Sequence, residues 1–347
     1  MIRRVRGNLL EADVEALVNT VNTVGVMGRG VALQFKHAYP ANYAEYRAAC
    51  EAGEVEPGKM LVVEVNPLYN PRYIINFPTK RHWKGKSRLE DIESGLTALA
   101  GDIRRLGIKS VAVPPLGCGL GGLDWRQVFP RIEAALGHLP GVEVLVYEPE
   151  GAPAAAAMPN RTPRPRMTAG RASLLALMHG YLEPLMDDAV TLLEAHKLMY
   201  FMQEAGEPLR LDFVQGIYGP YATNLHHVFE KVEGHFLVGF GDGREAPGKT
   251  LELKAEAVRA AEAFLANRTP TRNRLARVLR LIEGFETPYG MELLASVHWV
   301  ATHVEKARID VEAAREGVAA WSERKQKLFT AEHVKVAWEH LQQDRWI

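Results

Sequence analysis

A proline-rich segment near the middle of the chain separates two parts of different character. From position 149 to 166 it reads PEGAPAAAAMPNRTPRPR, with five prolines and no apolar periodicity. Because proline fixes φ and disfavours helix at the residue before it, this segment predicts a semi-extended linker. At 347 residues the chain is also too long for a single hydrophobic core. We therefore expect a first domain at 1–148, a linker at 149–166 and a second domain at 167–347.

Ahead of the linker, short β-rich runs alternate with helical patterns, which predicts an α/β sheet. The predicted strands are 16–20, 59–65, 72–77, 110–114 and 142–147, and the predicted helices are 30–37, 42–50, 88–105 and 125–137. Consecutive apolar residues, as in Ile74-Ile75, are expected where helices cover both faces of a sheet. The pattern predicts a three-layer sandwich whose ligands bind beyond the carboxyl ends of the strands.

Beyond the linker the pattern is mainly helical. The predicted helices are 169–180, 187–206, 254–266, 271–284, 288–303 and 330–342. One stretch differs, because residues 235–244 followed by 249–253 are typical of a β-hairpin around a glycine-rich turn. We expect a mainly α domain with a winged-helix-like β-hairpin.

The composition excludes several classes of protein. A hydrophobic fraction of 47% and a charged fraction of 24% are those of a globular protein. The chain has two cysteines, no apolar run of the roughly 18 residues that a transmembrane helix needs, and no apolar stretch after its basic N-terminus. We expect a cytoplasmic protein with no membrane partner.

The net charge of zero is unevenly distributed. Residues 1–166 carry 21 Lys and Arg against 17 Asp and Glu, whereas residues 167–347 carry 21 against 25. A basic half favours a polyanionic substrate and an acidic half favours a basic partner, through long-range attraction. The alternative is that imbalances of this size have no functional meaning.

Two glycine-rich loops follow predicted strands in the first domain, GVMGRG at 25–30 and GCGLGG at 117–122. Glycine lets a backbone approach a ligand closely, and the first loop opens a helix whose N-terminus favours phosphate. Two such loops can clamp a diphosphate, although each taken alone is also typical of a simple turn. Neither carries the Lys-Ser/Thr of a P-loop, which argues against triphosphate hydrolysis.

Four segments resemble, in order and spacing, the ligand segments of macrodomains: GNLL at 7–10, ALVNTVN at 16–22, the loop at 25–30 and PPLGCGLG at 114–121. The resemblance implies an α/β/α macrodomain with a mixed sheet that binds ADP-ribose as part of a substrate, with no cofactor and no metal. It places adenine near the first segment, diphosphate at both loops and the distal ribose at Asn22. The ligand-binding residues that it implies are Asn8, Leu9, Thr20, Val21, Asn22, Gly28, Gly30, Val31, Ala32, Leu33, Gln34, Thr79, Gly117, Cys118, Gly119, Leu120 and Gly121.

One lysine makes the first domain similar to a particular branch of the macrodomains. The run INFPTKRHWK at 75–84 is similar to that of a macrodomain branch of ADP-ribosyl glycohydrolases in which the lysine after this strand is catalytic. This implies Lys80 and Asn22 as the catalytic residues. An ammonium can stabilise a negative leaving group and a neutral amine can attack the anomeric carbon, and both roles stay open. We expect Arg81, Lys84 and Lys86 to lower the Lys80 pKa if they lie close to it.

Two positions depart from the family pattern. Many macrodomains have aspartate where this chain has Asn8, whose uncharged oxygen is a weaker acceptor for the adenine amino group. A related human enzyme has an aspartate directly after Gly-Cys-Gly-Leu, where this chain has Gly121. Asp124 is expected to be the N-cap of the following helix. No catalytic carboxylate is therefore assigned.

The remaining polar residues carry weaker signals. The basic run 80–88 is either a solvated surface or a contact for the DNA backbone, with Trp83 as a stacking platform for an unpaired base. Cys118 has no paired His and Asp that would make it a nucleophile, and we expect it to be a small residue of the loop. The histidines show no zinc-binding spacing.

The second domain contains a segment at 192–201, a YGPY run at 218–221 and a hairpin, which together resemble antitoxin domains of toxin–antitoxin systems. The resemblance implies a partner, a DarT-like ADP-ribosyltransferase toxin that modifies thymidine in single-stranded DNA. The Gly219-Pro220 pair predicts a turn, which is either buried or presents Tyr218 and Tyr221 to that partner.

These patterns together favour an antitoxin that removes ADP-ribose from thymidine in single-stranded DNA and binds the toxin through its C-terminal domain. One alternative is a hydrolase that acts on modified protein carboxylates. Another is a non-enzymatic ADP-ribose reader with a DNA-binding regulatory domain. Its hairpin would need basic recognition residues, yet Lys231 is the only one between 229 and 243.

Overall fold

The computed structural model describes residues 1–150, 158–241, 243 and 246–347. They form two compact units, one built on Met1–Pro163 and the other on Arg164–Phe240 and Glu245–Ile347. The expected linker falls partly on residues outside the described ranges. Its last part continues the first unit, because the backbone N–H of Arg161 donates to the carbonyl of His37 at 2.8 Å.

The first unit contains one six-stranded sheet and four helices. The strands are β1 (Ile2–Val5), β2 (Ala16–Asn22), β3 (Leu61–Glu64), β4 (Tyr73–Lys80), β5 (Ser110–Val113) and β6 (Glu143–Tyr147), and the helices are α1 (Gly30–Ala38), α2 (Pro40–Glu51), α3 (Leu89–Leu106) and α4 (Trp125–Leu136). The strand order is β1-β6-β5-β2-β4-β3. All neighbours pair in parallel except β3, which is antiparallel to β4. The expected mixed sheet is confirmed.

Both faces of this sheet are covered by helices. Ala16 and Val18 of β2 pack in a core that includes Ile92 of α3 and Ile132 of α4. Leu17, between them in the sequence, packs in a second core with residues of α1. Because successive side chains of a strand point to opposite faces, this division confirms the three-layer α/β/α architecture.

Strand β1 was not expected from the sequence. Arg3 and Arg4 interrupt its apolar residues, so that it lacks the run of apolar residues typical of a buried strand. The strand lies at the edge of the sheet beside β6, and the two guanidinium groups pair with Glu143 and Glu148. Pairing with β6, more than 130 residues later, explains why no local pattern indicated it.

Strand β4 continues beyond its expected end at Phe77 and includes Lys80 as its last residue. Pro78 lacks an N–H group, and the ladder with β2 shifts at this point: Val21 pairs with Pro78, and Asn22 then pairs with Lys80. A register shift of this kind lets a proline stay within a strand. As a result Lys80 lies at the carboxyl end of β4, within the sheet, rather than in the loop after it.

The second unit is mainly helical, as expected. Its elements are α5 (Ala169–Leu182), β7 (Ala189–Thr191), α6 (Leu192–Glu204), β8 (Phe213–Gly216), β9 (Gly219–Ala222), α7 (His226–Val232), β10 (Leu237–Val238), β11 (Thr250–Leu253), α8 (Ala255–Leu265), α9 (Thr269–Ile282), α10 (Pro288–His303), α11 (Val311–Trp321), α12 (Glu323–Leu328) and α13 (Ala331–Gln343). Among the described residues, no helix is both long and apolar enough to cross a membrane. The hairpin β8–β9 and helices α7, α11 and α12 were not expected.

The expected hairpin at 235–253 is present as the antiparallel pair β10–β11, although Asp242, Arg244 and Glu245 lie outside the described residues. Strand β7 pairs with β11 and makes a third strand. The helix expected to begin at position 187 begins instead at Leu192. Thr191 and Glu194 form a capping box there, in which each side chain bonds the backbone N–H of the other, and this ends the strand and starts the helix.

A buried cluster of charged groups lies beneath the hairpin β8–β9. The Lys197 ammonium donates to the carbonyl of Pro220 at 2.7 Å. The carboxylate of Glu292 accepts from Lys325 at 2.7 Å and from Arg324 at 2.6 Å. Two cations therefore pair with one carboxylate, and Lys197 lies near them without a direct bond to Glu292. Burial, and then repulsion from Lys325, lowers the pKa of Lys197 to about 7.

We expect Lys197 to make the stability of this unit depend on pH. Between pH 7 and about 10 the unfolded state binds more protons at this lysine than the folded state, so the free energy of unfolding rises with pH by up to about 1.4 kcal/mol per unit. Lys197→Met should remove that rise. Urea unfolding of both proteins at pH 7 and pH 9 measures it, with Lys335→Met, at an exposed lysine of α13, as the control. Equal pH dependence in wild type and Lys197→Met would contradict the assignment.

Candidate functional site

The two glycine-rich loops meet at the carboxyl end of the sheet. The loop at 25–30 follows β2 and leads into α1, and the loop at 117–122 follows β5. A Cβ added to Gly30 would lie 3.7 Å from the Cδ1 atom of Leu120, so the two loops are direct neighbours. Two of the expected diphosphate-binding residues are thus brought together.

The first turn of α1 has no side-chain cap. Its N-cap residue, Arg29, makes no capping hydrogen bond with its side chain, and the first turn contains no acidic residue. The backbone N–H groups of a first turn have no partner within the helix, and the helix dipole adds positive potential there. This N-terminus is therefore suited to an anion such as a diphosphate.

The second loop is held by its own backbone. The N–H of Leu123 donates to the carbonyl of Gly117 at 3.0 Å, and that of Cys118 donates to Pro115 at 3.1 Å. The φ of +70° at Gly117 favours glycine. Burial raises the pKa of the Cys118 thiol to about 11, so the thiol stays protonated near neutral pH. This agrees with the expectation that Cys118 is a small loop residue rather than a nucleophile.

Lys80 reaches from the end of β4 to the second loop. Its ammonium donates to the carbonyl of Leu120 at 2.5 Å. Burial lowers its pKa. The expectation that Arg81, Lys84 and Lys86 lower this pKa is wrong, because burial is its cause and the Arg81 guanidinium pairs with Asp91 at 2.9 Å. Desolvation rather than like charge makes the amine easier to deprotonate.

Asn22, the residue paired with Lys80 across the sheet, organises the first loop. Its side-chain oxygen accepts from the N–H groups of Val24 and Val26 at 3.0 and 3.3 Å, and its side-chain nitrogen donates to the carbonyl of Val26. Its side chain is almost wholly buried. In this structure Asn22 shapes the loop, and its expected contact with the distal ribose stays a prediction.

Tyr46 of α2 supports Asn22 and was not found from the sequence. Its hydroxyl donates to the backbone carbonyl of Asn22 at 2.7 Å and lies 3.1 Å from the side-chain oxygen. Burial raises the pKa of this phenol far above its usual value. A tyrosine on an amphipathic helix has no sequence signal that distinguishes it from a core residue.

The other expected ligand-binding residues lie around these loops. Asn8 caps a short 3-10 turn, Leu9–Glu11, by accepting from the N–H of Leu10 at 3.1 Å. Buried positions in the set are Leu9, Val21, Leu33, Gln34, Thr79, Gly117 and Gly121, and at least partly exposed ones are Asn8, Thr20, Gly28, Gly30, Val31, Ala32, Cys118, Gly119 and Leu120. Their contacts with ADP-ribose stay predictions.

Gly121 lies where no side chain fits. A Cβ at this position would stand 2.2 Å from the carbonyl oxygen of Gly117 and 2.3 Å from the hydroxyl of Ser87. The aspartate found there in the related human enzyme is thus excluded by this loop conformation. Asp124 caps α4 as expected, accepting from the N–H of Arg126 at 2.9 Å.

Three exposed apolar side chains lie on these two loops or directly beside them. Val24, Val26 and Leu120 expose 43%, 39% and 49% of their surface. Apolar groups left in water at a concave site are stabilised when a ligand covers them. We expect them to contact the sugar or base of a bound nucleotide, beside the backbone that is expected to bind its phosphates.

The first unit is a macrodomain by its sequence as well as its fold: the family model of the Macro domain matches residues 18–132. A DNA ADP-ribosyl glycohydrolase of Thermus aquaticus is 49% identical over 98% of this chain and 93% of its own length. The solved macrodomain of Thermus aquaticus DarG is 61% identical over 43% of this chain and 99% of its own, with a TM-score of 0.42. A DNA ADP-ribosyl transferase-DNA ADP-ribosyl glycohydrolase fusion protein of Thermosipho africanus is 38% identical over 42% of this chain and 41% of its own length. The chain belongs to the DNA ADP-ribosyl glycohydrolase family.

We expect Gly121→Ala to weaken ADP-ribose binding about 10-fold or more, because the added methyl group forces the second loop to move away from Gly117. Isothermal titration calorimetry with ADP-ribose measures the effect. Gly101→Ala is the matched control, since a Cβ at Gly101 in α3 meets nothing within 4 Å. An unchanged Kd for Gly121→Ala would show that this loop conformation is not the one that binds ligand.

Proposed function

We propose that this chain hydrolyses the N-glycosidic bond between ADP-ribose and thymidine bases of single-stranded DNA, and that its second unit binds the transferase that makes the modification. The observation that carries the first part is the contact of Lys80 with Leu120. This contact places an amine of lowered pKa at the loop assigned to the diphosphate.

In this proposal the backbone N–H groups of the two loops hold the diphosphate, with the uncapped N-terminus of α1 on one side. The distal ribose then extends past Leu120 toward Lys80 and Asn22, which are paired across the sheet. Water adds to the anomeric carbon, and the base leaves with the electron pair of the broken bond and takes up a proton.

Lys80 contributes in one of two ways. As an ammonium it stabilises negative charge on the departing base, and as a neutral amine it bonds to the anomeric carbon before water does. Burial lowers its pKa and so increases the neutral fraction. Arginine keeps the charge but does not give up its proton at physiological pH. Activity retained by Lys80→Arg would indicate the charge role, and loss of activity with binding intact would indicate the amine.

We expect Lys80→Ala to abolish release of ADP-ribose while ADP-ribose binding persists, because the diphosphate contacts come from the backbone of the two loops. Mass spectrometry of an ADP-ribosylated thymidine oligonucleotide after exposure to each protein measures release. A glutamate-modified protein substrate, assayed in parallel, tests the alternative of a protein-directed hydrolase. Wild-type turnover by Lys80→Ala would contradict the assignment.

Two observations support a transferase partner for the second unit. The Thermosipho africanus relative carries transferase and glycohydrolase in one polypeptide, and its match to this chain, 160 residues, is about the length of the first unit alone. In addition, residues 167–347 carry an acidic excess, 25 against 21, which suits a DNA-binding enzyme with a basic surface. In our proposal, non-covalent binding by the second unit replaces the covalent link.

The hairpin β8–β9 is the surface that we assign to this contact. Val214 on strand β8 exposes 53% of its surface, and Ile217 and Tyr218 at the tip expose 69% and 37%. Helix α11 fixes the end of β8, because the indole N–H of Trp321 donates to the carbonyl of Gly216 at 3.0 Å. The two tyrosines differ in exposure. Tyr218 is exposed, as expected of a residue that contacts a partner, whereas Tyr221 stacks on the buried ring of His196 at 4.7 Å.

We expect Ile217→Asp to weaken inhibition of a DarT-like transferase about 10-fold or more, since a charge replaces an apolar contact. Inhibition is measured by titrating the transferase on a thymidine oligonucleotide, in the Lys80→Ala background so that removal does not mask modification. Ile309→Asp, at an isoleucine of the second unit that is 80% exposed, is the control. Failure of Lys80→Ala itself to inhibit would contradict the partner, and a larger effect at Ile309 would contradict the surface.

A further inference from the structure

We propose that residues 81–88, here named the strand arch, bind the single-stranded DNA on either side of the modified thymidine and give the site its preference for nucleic acid. Trp83 stacks on a neighbouring base, and Lys84, Lys86 and Arg88 contact phosphates. The inference rests on the proposed function and deepens it, because it assigns the residues that recognise the substrate beyond its ADP-ribose group.

The strand arch is fastened to both ligand loops. At its start the hydroxyl of Thr23, which follows β2, donates to the carbonyl of Arg81 at 2.6 Å. At its end the N–H of Ser87 donates to the carbonyl of Gly121 at 3.0 Å. The arch therefore runs from the first loop to the second and begins at the residue after Lys80. In the proposal, a polymer attached to the distal ribose near Lys80 passes close to it.

The aromatic residue of the strand arch faces water. Trp83 exposes 49% of its surface, although its ring is large and apolar. The ring of His82 lies 5.5 Å from it with an interplanar angle of 29°, and the Lys84 ammonium lies 4.9 Å from its centroid. An exposed cation–π contact is weaker than the stacking of a base on an aromatic ring, so a base displaces Lys84 from Trp83. The released ammonium is then available to a phosphate.

The charge of the strand arch is unbalanced. Between Lys80 and Glu90 the sequence contains Arg81, Lys84, Lys86 and Arg88 and no acidic residue. Within the described residues the arginine at 81 is paired, whereas Lys84, Lys86 and Arg88 form no ion pair and are exposed. Unpaired exposed cations beside a bound polyanion release counterions from it and so strengthen binding.

A cleft beside the strand arch helps to define where the DNA strand lies. It is lined by Ser87, Leu89, Leu123 and the two carboxylates Glu90 and Asp91, together with the arginines of the arch. Its two carboxylates are balanced by two arginines, one of which, Arg81, is paired with Asp91, so the cleft carries no net charge to attract a polyanion. We therefore place the strand along Trp83, Lys84 and Lys86, with Arg88 at the margin of the cleft. A modified protein side chain brings no row of phosphates or bases to these residues. The arch therefore distinguishes a DNA substrate from a protein one.

The test compares one protein on two substrates that share the scissile bond, ADP-ribosylated thymidine as a nucleoside and as the central residue of an oligonucleotide. We expect Trp83→Ala, and separately the double variant Lys84→Ala/Lys86→Ala, to lower the ratio of oligonucleotide to nucleoside kcat/KM about 10-fold. Trp83→Phe should restore most of the ratio because it keeps a stacking ring. The double variant should also reduce the dependence of oligonucleotide KM on salt.

Arg104→Ala is the matched control, since Arg104 is an exposed cation near the opposite end of α3, more than 20 Å of helix from the strand arch. An unchanged ratio in both arch variants would overturn the inference. If wild type released ADP-ribose from neither substrate, the proposed function would fail instead. Fluorescence anisotropy of the modified oligonucleotide would then still decide the inference: equal Kd for Lys80→Ala with and without Trp83→Ala would overturn it.

Discussion

The parallel pairing of β2 with β4 is the constraint on which the rest of the site depends. Three buried asparagines fix it: Asn19 of β2 donates to the side-chain oxygen of Asn76 of β4 at 3.0 Å, and Asn76 donates to Asn42 of α2 at 2.7 Å. All three are fully buried. A slip of one residue would turn these amides away from one another and leave them without partners in the core, which is costly. The register therefore holds, and it carries Asn22 and Lys80 to the same edge of the sheet.

This packing also sets the chemistry of Lys80. The sequence places four further cations within eight residues of it, which suggests electrostatic repulsion as the source of a lowered pKa. In the structure the nearest one in sequence, Arg81, is neutralised by Asp91, and burial alone lowers the pKa. The register shift at Pro78 places Lys80 at the carboxyl end of β4. This position determines how far the amine is buried, and therefore how readily it is deprotonated. In our proposal the neighbouring cations act on the DNA strand outside the site rather than on the pKa of Lys80.

The sequence located many features with a local cause, although the hairpin β8–β9 and the helices α7, α11 and α12 were not expected. Glycine spacing located both loops, apolar periodicity located most helices to within a few residues, and Asp124 was correctly interpreted as a helix cap. Features that depend on a partner distant in the chain were missed. Strand β1 forms by pairing with β6, and Tyr46 supports the site because its hydroxyl donates to the carbonyl of Asn22. Neither relationship has a signature in the residues themselves.

Gly121 connects these observations. It adds no carboxylate to the loop that Lys80 contacts, and burial lowers the pKa of that lysine. The space that a side chain would need is filled by the hydroxyl of Ser87 and the carbonyl of Gly117. Ser87 is the residue that ties the strand arch to the second loop, so the loop conformation that excludes a carboxylate is also the one that holds the arch beside the site.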